Sequence, residues 1–324
     1  MAIKQFIKEI GRGAAGARSL TRAQAQELMG LVLAGEASPL ELGAMVMALR
    51  MKGESLDELC GFLDAVHAHC LPLQSDVPVV VIPSYNGARR LPNLTPLLAM
   101  LLAQQGARVL VHGPLHDPAR VTSAEIFHDL GLLPALNADD VQSHWARHEP
   151  AFMPTAVLCP PLQTLLDVRW TVGLRNSGHM VAKMMQPFTQ TSATRSLRLV
   201  NYTHPEFGAL MKAWAEQEKA DTMLLRGTEG EAVADPRRQP RLDSYVAGLP
   251  CAAGSSPAFE GVVTQLPLLP GAIDAATTAL YIQAVLGGER PAPAPVARQV
   301  QLVLATVAAI AADSAPSQAA QVSA

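Results

Sequence analysis

Two groups of arginines stand where phosphate could be held. Arg89 and Arg90 lie inside the stretch Val79–Ala99, which reads VVVIPSYNGARRLPNLTPLLA. A β-branched run comes first, then a loop, then a helical start at Thr95-Pro96. A loop that leaves a strand and feeds a helix N-terminus presents free backbone N–H groups and the positive end of the helix dipole, so it favours an anion. A cradle that wraps a phosphate closely uses several glycines, and here Gly87 stands alone. Two permanent guanidinium charges occupy the region instead, and their planar forks suit phosphate oxygens. The second group, Arg237, Arg238 and Arg241, sits among Pro236 and Pro240 in a segment that reads as a loop. Stiff flanks project those charges at low entropic cost. Tyr85 offers a ring on which a base can stack, and Asn86 suits a turn. Arg195 and Arg198 flank a strand start, and Lys4, Lys8 and Arg12 share one face of a possible first helix.

The elements around these residues carry clear boundary signals. Thr21 with Gln24, Ser55 with Glu58 and Thr122 with Glu125 have the spacing of capping boxes, and Ser38-Pro39 is a cap followed by a first helical position, with Gly53 at that helix's end. Residues 1–72 therefore read as a small helical domain. Strands are expected at 77–82, 108–112, 156–159, 197–202 and 222–225. Strand, loop, helix and strand in succession make a βαβ unit and a parallel sheet. Helical character at about 163–187 interrupts the strands and is expected to rejoin the small domain, leaving 73–162 and 188–324 as a larger α/β domain. The fold class is thus α/β, an all-helical N-terminal domain plus a large domain with a mainly parallel central sheet. A further helix is expected at 296–311 and a frayed tail at 314–324.

Composition narrows the function. The 324 residues are 49% hydrophobic and 16% charged, which suits a globular chain with a large core. No run reaches the length of a membrane span, and residues 1–8 do not read as a signal peptide, so a soluble cytoplasmic protein without membrane contact is expected. The four cysteines are scattered and read as reduced core residues. His112, His116 and His128, without partnering carboxylates, read as structural or solvated. The formal charge of −3 opposes nucleic-acid binding unless the charge is unevenly distributed.

The order of elements, Asn93-x-Thr95 opening a helix and Val111-His112-Gly113 closing the next strand resemble the anthranilate phosphoribosyltransferase family, of glycosyltransferase family 3 and the nucleoside phosphorylase and phosphoribosyltransferase class III fold. In that family the first loop is a glycine run ending in Asp that wraps the pyrophosphate of phosphoribosyl pyrophosphate. Here the loop is Pro83-Ser84-Tyr85-Asn86-Gly87. The family's KHGNR stretch falls on Val111–Leu115, and its magnesium-binding Asp-Glu pair falls on Ala232-Val233, in Arg226–Val233. Arg169 and Arg175, in RWTVGLRN, keep the basic character of a family segment on the anthranilate side, and Arg120 matches a family lysine in the phosphate region. Removing a single preorganised donor costs such reactions a factor of about 10²–10³, so the joint loss implies a degenerate transferase with no catalytic residue, no metal and no cofactor. Glu229 and Glu231 remain as possible replacement oxygens.

The PSYNGAR loop followed by NLTPLLA is similar to a divergent DNA-binding group of this fold, the YbiB type. That resemblance implies a homodimer that binds DNA and RNA, single- or double-stranded, with little sequence preference. The nucleic-acid contacts are then expected from Arg89, Arg90, Arg120, Arg175, Arg237, Arg238, Arg241 and Tyr85. The alternatives are an anthranilate phosphoribosyltransferase-like transferase or nucleoside phosphorylase with an altered phosphate site, and a nucleotide sensor without turnover.

Overall fold

The computed structural model describes residues 3–13, 16–188, 195–264 and 266–314. The tail expected to fray lies, beyond Ser314, outside them. Four helices come first: α1 Ile3–Ile10, α2 Arg22–Leu33, α3 Pro39–Lys52 and α4 Leu56–His67. Thr21, Ser38 and Ser55 each accept the N–H three residues on, while Gln24, Glu41 and Glu58 return to the cap backbone. Glu58 does more than cap. Its fully buried carboxylate also accepts from Leu20 N at 2.9 Å and from Lys52 Nζ at 2.6 Å, so one side chain ties the approach to α2, the end of α3 and the start of α4 together.

The chain then alternates between strands and helices. In order come β1 Val79–Pro83, α5 Thr95–Gln104, β2 Arg108–Gly113, α6 Ser123–Asp129, α7 Ala138–Ala146, β3 Ala151–Pro154, α8 Thr155–Leu158, α9 Pro160–Val172 and α10 Gly178–Ala182. β4 Ser196–Tyr202, α11 Pro205–Gln217, β5 Thr222–Arg226, β6 Leu242–Val246, β7 Leu249–Pro250, α12 Ala275–Leu286 and α13 Ala294–Ser314 complete the chain. The sheet runs β3-β2-β1-β4-β5-β6-β7. Its first five strands are parallel, and β6 and β7 are antiparallel.

The continuous apolar run of β1 follows from burial on both faces. Val79 and Val81 pack into the core shared with the helical bundle, while Val80 and Ile82 join a second core under α5, α12 and α13. α9 packs on α2 and α10 on α4. Two linkers join the lobes side by side, with Leu71 N bonded to Leu158 O at 2.7 Å and Leu73 N to Pro187 O at 3.0 Å. By length and composition α13 is apolar enough to cross a membrane. It places Val296, Val300, Val303 and Ile310 in the second core.

Three expectations shift. The strand expected at 156–159 is β3 at Ala151–Pro154, in register with Leu110–Gly113. The chain turns helical at Thr155 because Cys159 N bonds back to Thr155 O at 2.8 Å, and prolines at 160 and 161 then start α9. The helical stretch expected at 163–187 is two helices, parted where Gly173 takes a left-handed φ of 77°. The Arg237–Arg241 loop is followed by an unanticipated hairpin, β6–β7. Its turn is Ala247-Gly248, both at positive φ, without the Asn-Gly or Asp-Gly that usually marks such a turn.

Replacing Glu58 by alanine takes the carboxylate from the largely buried Lys52 ammonium, which keeps only the Gly53 carbonyl and a long contact to Ser19, and frees the Leu20 and Ser55 N–H groups. A loss of about 3 kcal/mol or more is expected in urea unfolding of the full chain.

Candidate functional site

The strand order reverses at β1, because β2 and β3 extend the sheet one way and β4 and β5 the other. In such sheets ligands sit outside the carboxyl ends of the strands at the reversal. Here that crevice is formed by the loop leaving β1, residues 84–91, and the loop leaving β5, residues 227–233. The β1 loop presents its backbone N–H groups as expected, but they are taken. Asn86 N and Gly87 N donate to Glu231 Oε1 at 2.7 and 2.6 Å, and Thr95 Oγ1 donates to Glu231 Oε2 at 3.2 Å. Arg89 N, Arg90 N and Leu91 N all donate to the Glu229 carboxylate, at 2.8, 3.0 and 3.2 Å.

A tight turn delivers both carboxylates. Glu231 N bonds to Thr228 O at 2.9 Å, with Glu229 at φ 52° and Gly230 at φ 89°. A glutamate in the left-handed region is strained by about 1–2 kcal/mol, and three N–H bonds to its carboxylate offset that. Gly230 is obligatory twice over, since a Cβ there would lie 2.3 Å from Asn86 Nδ2. The Asn86 and Asn201 amides both donate to Gly230 O. Burial opposes the Glu229 charge, yet the N–H donors of Arg90, Arg89 and Leu91, with the Arg120 charge, hold its carboxyl below the ordinary glutamate range.

The interior of the crevice is basic. Arg175 donates to Asn86 Oδ1 and to Tyr85 O, and burial, with Arg169 and Arg120 nearby, lowers it to about 10. Burial and the Arg175 charge lower the Lys183 ammonium to about 8, with Glu231 opposing them. Arg120 lies against Gly87, close to Val121 O, where a Cβ would not fit. Tyr85 must be corrected: it is 4% exposed, its hydroxyl joins His112 Nδ1 at 2.8 Å and accepts from Thr155 Oγ1 at 3.1 Å, so its ring is unavailable to a base. His112 is the hidden partner of that tyrosine, and burial lowers it to about 3.

The other arginines gather on one rim. Arg90, Arg226, Arg237, Arg238 and Arg241 line a groove of about 960 Å³, and Arg89 is exposed next to Arg90. Two of them are neutralised locally, Arg237 by Asp235 at 2.8 Å and Arg241 by Asp243 at 2.8 Å. Arg238 donates to the carbonyls of Phe259 and Gly261 and keeps its net charge, with its guanidinium 6.0 Å from the Phe259 ring centre. Arg89, Arg90, Arg226 and Arg238 make no ion pair among the described residues. Arg226 was not anticipated. As the last residue of β5 it is the one exposed position of an otherwise buried strand, and a charged residue ending that apolar run was the available sign. Arg195 and Arg198 do not join the rim: Arg195 is tied to Asp221 and Asp313, and Arg198 is buried.

Magnesium does not fit this crevice. Ala232 and Val233 are buried in the core, and the nearest carboxylates, Glu229 and Glu231, accept from backbone N–H donors. Among the described residues no group of three or more His, Cys, Asp and Glu side chains converges on a point.

Residues 4–70 match the helical bundle domain of the glycosyl transferase family. Over 298 residues the chain is 41% identical to a protein of Escherichia coli K12 described as uncharacterized protein YbiB, covering 90% of each. The chain belongs to the YbiB family. YbiB-family membership is joined by a more distant likeness to anthranilate phosphoribosyltransferase of Moorella thermoacetica, 29% identical over 181 residues, 55% of this chain and about half of the enzyme, 53%. The crystal structure of anthranilate phosphoribosyltransferase from Thermus thermophilus superposes with a TM-score of 0.69 at 19% identity, over 96% of this chain and 95% of that one. The fold is therefore that of anthranilate phosphoribosyltransferase, a helical domain with a mostly parallel α/β domain, and this YbiB-family chain fills the crevice of that fold with its own carboxylates.

Because the cradle donors are buried and polar, Glu231→Ala leaves several without an acceptor, a loss of about 3 kcal/mol. An added oxyanion can then take the vacated place. Thermal unfolding in phosphate against chloride is expected to raise the melting temperature of Glu231→Ala and leave that of the parent chain nearly unchanged.

Proposed function

We propose that this chain binds nucleic acid without sequence preference, through phosphate contacts along the arginine rim, and does not transfer a phosphoribosyl group. The observation that carries this reading is the division of labour at the crevice. The backbone donors able to envelop a pyrophosphate are filled by Glu229 and Glu231, whereas Arg89, Arg90, Arg226 and Arg238 stand outside them without an ion pair among the described residues, with Glu260 the further carboxylate on the groove. An open row of guanidinium groups suits a polymer backbone that passes through rather than a mononucleotide that is enclosed. With Tyr85 buried, Phe259 replaces it as the aromatic contact: it is partly exposed, lines the same groove and already has Arg238 against it. Arg175 and Arg120 act from inside, through the loop and the field at Glu229, and not as direct contacts.

Binding of this kind releases counterions and weakens steeply with salt. Fluorescence polarisation with unrelated DNA and RNA oligonucleotides over a salt series is expected to give similar affinities and a strong salt slope. Arg90→Ala, Arg226→Ala and Arg238→Ala should each reduce the slope by roughly one for every phosphate that the variant no longer engages. Salt-insensitive binding, or turnover of phosphoribosyl pyrophosphate with anthranilate, would overturn the reading.

The functional unit is a homodimer in this proposal. Leu40, Met47 and Met51 of α3 are exposed, Leu40 at 83% and Met51 at 81%, and their spacing of seven and four puts them on one helix face. Trp170 and Leu174, four apart around the end of α9, are exposed as well. Apolar surface of this kind marks contact with another protein surface, and a second copy is the partner proposed. Sedimentation velocity should show a dimer, and Leu40→Glu with Met51→Glu should shift it to monomer.

A further inference from the structure

On the bundle-facing side of the sheet, away from the crevice, lies a cavity of about 400 Å³. Leu63 and His67 of α4, Phe188 of the second linker, Arg198 of β4 and Trp214 of α11 line it. Arg198 is 5% exposed, and no carboxylate makes an ion pair with it among the described residues. Its guanidinium lies over the Trp214 ring, 4.5 Å from the centroid, and makes a single long hydrogen bond, Nη1 to Met184 O at 3.3 Å. Among the described residues Nε has no partner, and neither has the buried Nε2 of Gln186, which lines the same cavity.

The acidic groups nearby do not resolve this. Asp64 and Glu218 both border the cavity, but all four of their oxygens are engaged by Arg22, at 2.6 and 2.8 Å to Asp64 and at 2.7 and 3.0 Å to Glu218. Asp221 is paired with Arg195. His67 is held neutral by burial and by the Arg198 charge, at about 4, and its Nε2 accepts from Gln186 N at 2.9 Å. Burial lowers Arg198 to about 10, with Asp221 and Glu218 offsetting that at longer range. A guanidinium removed from water without a partner is costly to the fold. Asp64, Glu218, Arg22 and Arg198 balance in charge around the cavity, and what is left without a partner among the described residues is the Arg198 and Gln186 N–H donors on a polar wall, opposite an apolar wall of Leu63, Phe188 and Trp214.

We infer that this cavity is a binding site for a small organic carboxylate, with the anion on Arg198 and Gln186 and the apolar part against Leu63, Phe188 and Trp214. The volume falls within the range of small-molecule pockets, roughly 300–1,000 Å³. The site shares no residue with the arginine rim, so it stands or falls separately from nucleic-acid binding.

Isothermal titration calorimetry of the full chain with acetate, pentanoate and phenylacetate, with phenylacetamide and inorganic phosphate as comparisons, tests the assignment. Saturable binding that tightens with the apolar part is expected, and the neutral amide should bind at least roughly tenfold more weakly, the worth of one charge-assisted hydrogen bond. Arg198→Met should abolish binding. That variant replaces an unpartnered buried charge by an apolar chain, so it should keep cooperative unfolding and oligonucleotide affinity. Gln186→Leu gives a second variant, expected to weaken the carboxylate without removing it. Absent saturation by every carboxylate, equal binding of phenylacetamide, or undiminished binding by Arg198→Met would overturn the inference. Binding of phosphate alone would overturn the carboxylate class and leave an inorganic-anion site.

Discussion

Two glutamates on one four-residue turn set the character of this protein. Parallel strands buried on both faces end in loops whose N–H groups lie in a partly dry crevice, and such groups must be satisfied. Where an enzyme of this fold can leave them for a ligand, this chain satisfies them permanently. Glu231 serves Asn86, Gly87 and Thr95, and Glu229 serves Arg89, Arg90 and Leu91. The β1 and β5 loops are thereby joined across β4, with Asn201 of β4 donating to Gly230 O as a further tie. Once that junction is closed the arginine side chains at 89 and 90 have nowhere to point but outwards, because their own backbone is held from within.

In the proposed reading the same junction leaves the crevice unsuited to a diphosphate and its metal. A pyrophosphate arriving there would meet two carboxylates already seated on the donors it needs, and like charges at that distance repel strongly in low dielectric. Arg175, which donates to Asn86 and Tyr85, and the buried Lys183 both lie within electrostatic range of Glu231. In the proposed reading the carboxylates occupy the backbone donors that a phosphate would need. Ala232 and Val233, which stand where the family resemblance puts a metal-binding pair, extend the core beneath the turn.

Much of the fold was legible because local signals agreed with one another. The capping boxes at Thr21, Ser38 and Ser55 form as their spacing requires, and the apolar run 79–82 is the central strand. Signals failed where tertiary contacts outweigh local preference. β3 lies five residues upstream of its expected start at 156, since pairing with β2 places it and Thr155 then turns the chain. Tyr85 looked like a loop aromatic free to stack, and only the fold brings His112 and Thr155 to its hydroxyl. The role of Glu229 and Glu231 was hidden for the same reason: they lie about 140 residues from their donors, and spacing in sequence carries no trace of that meeting.

The net charge of −3 argued against a nucleic-acid protein, but a sum over the chain is a poor guide to what one face presents. Exposed charges are screened beyond about 8–10 Å at physiological salt, so a polymer at the rim responds to the charges beside it and not to the total. Beside it, the Glu229 charge is directed at backbone donors, Arg237 and Arg241 are matched one for one by Asp235 and Asp243, and Arg89, Arg90, Arg226 and Arg238 remain against the single further carboxylate on that groove, Glu260. Counting arginines in the sequence therefore overstates the rim at 237 and 241 and misses it at 226. What matters for association is the surplus after pairing, and that surplus lies on the side of the crevice where the chain's own carboxylates have closed the pocket beneath it.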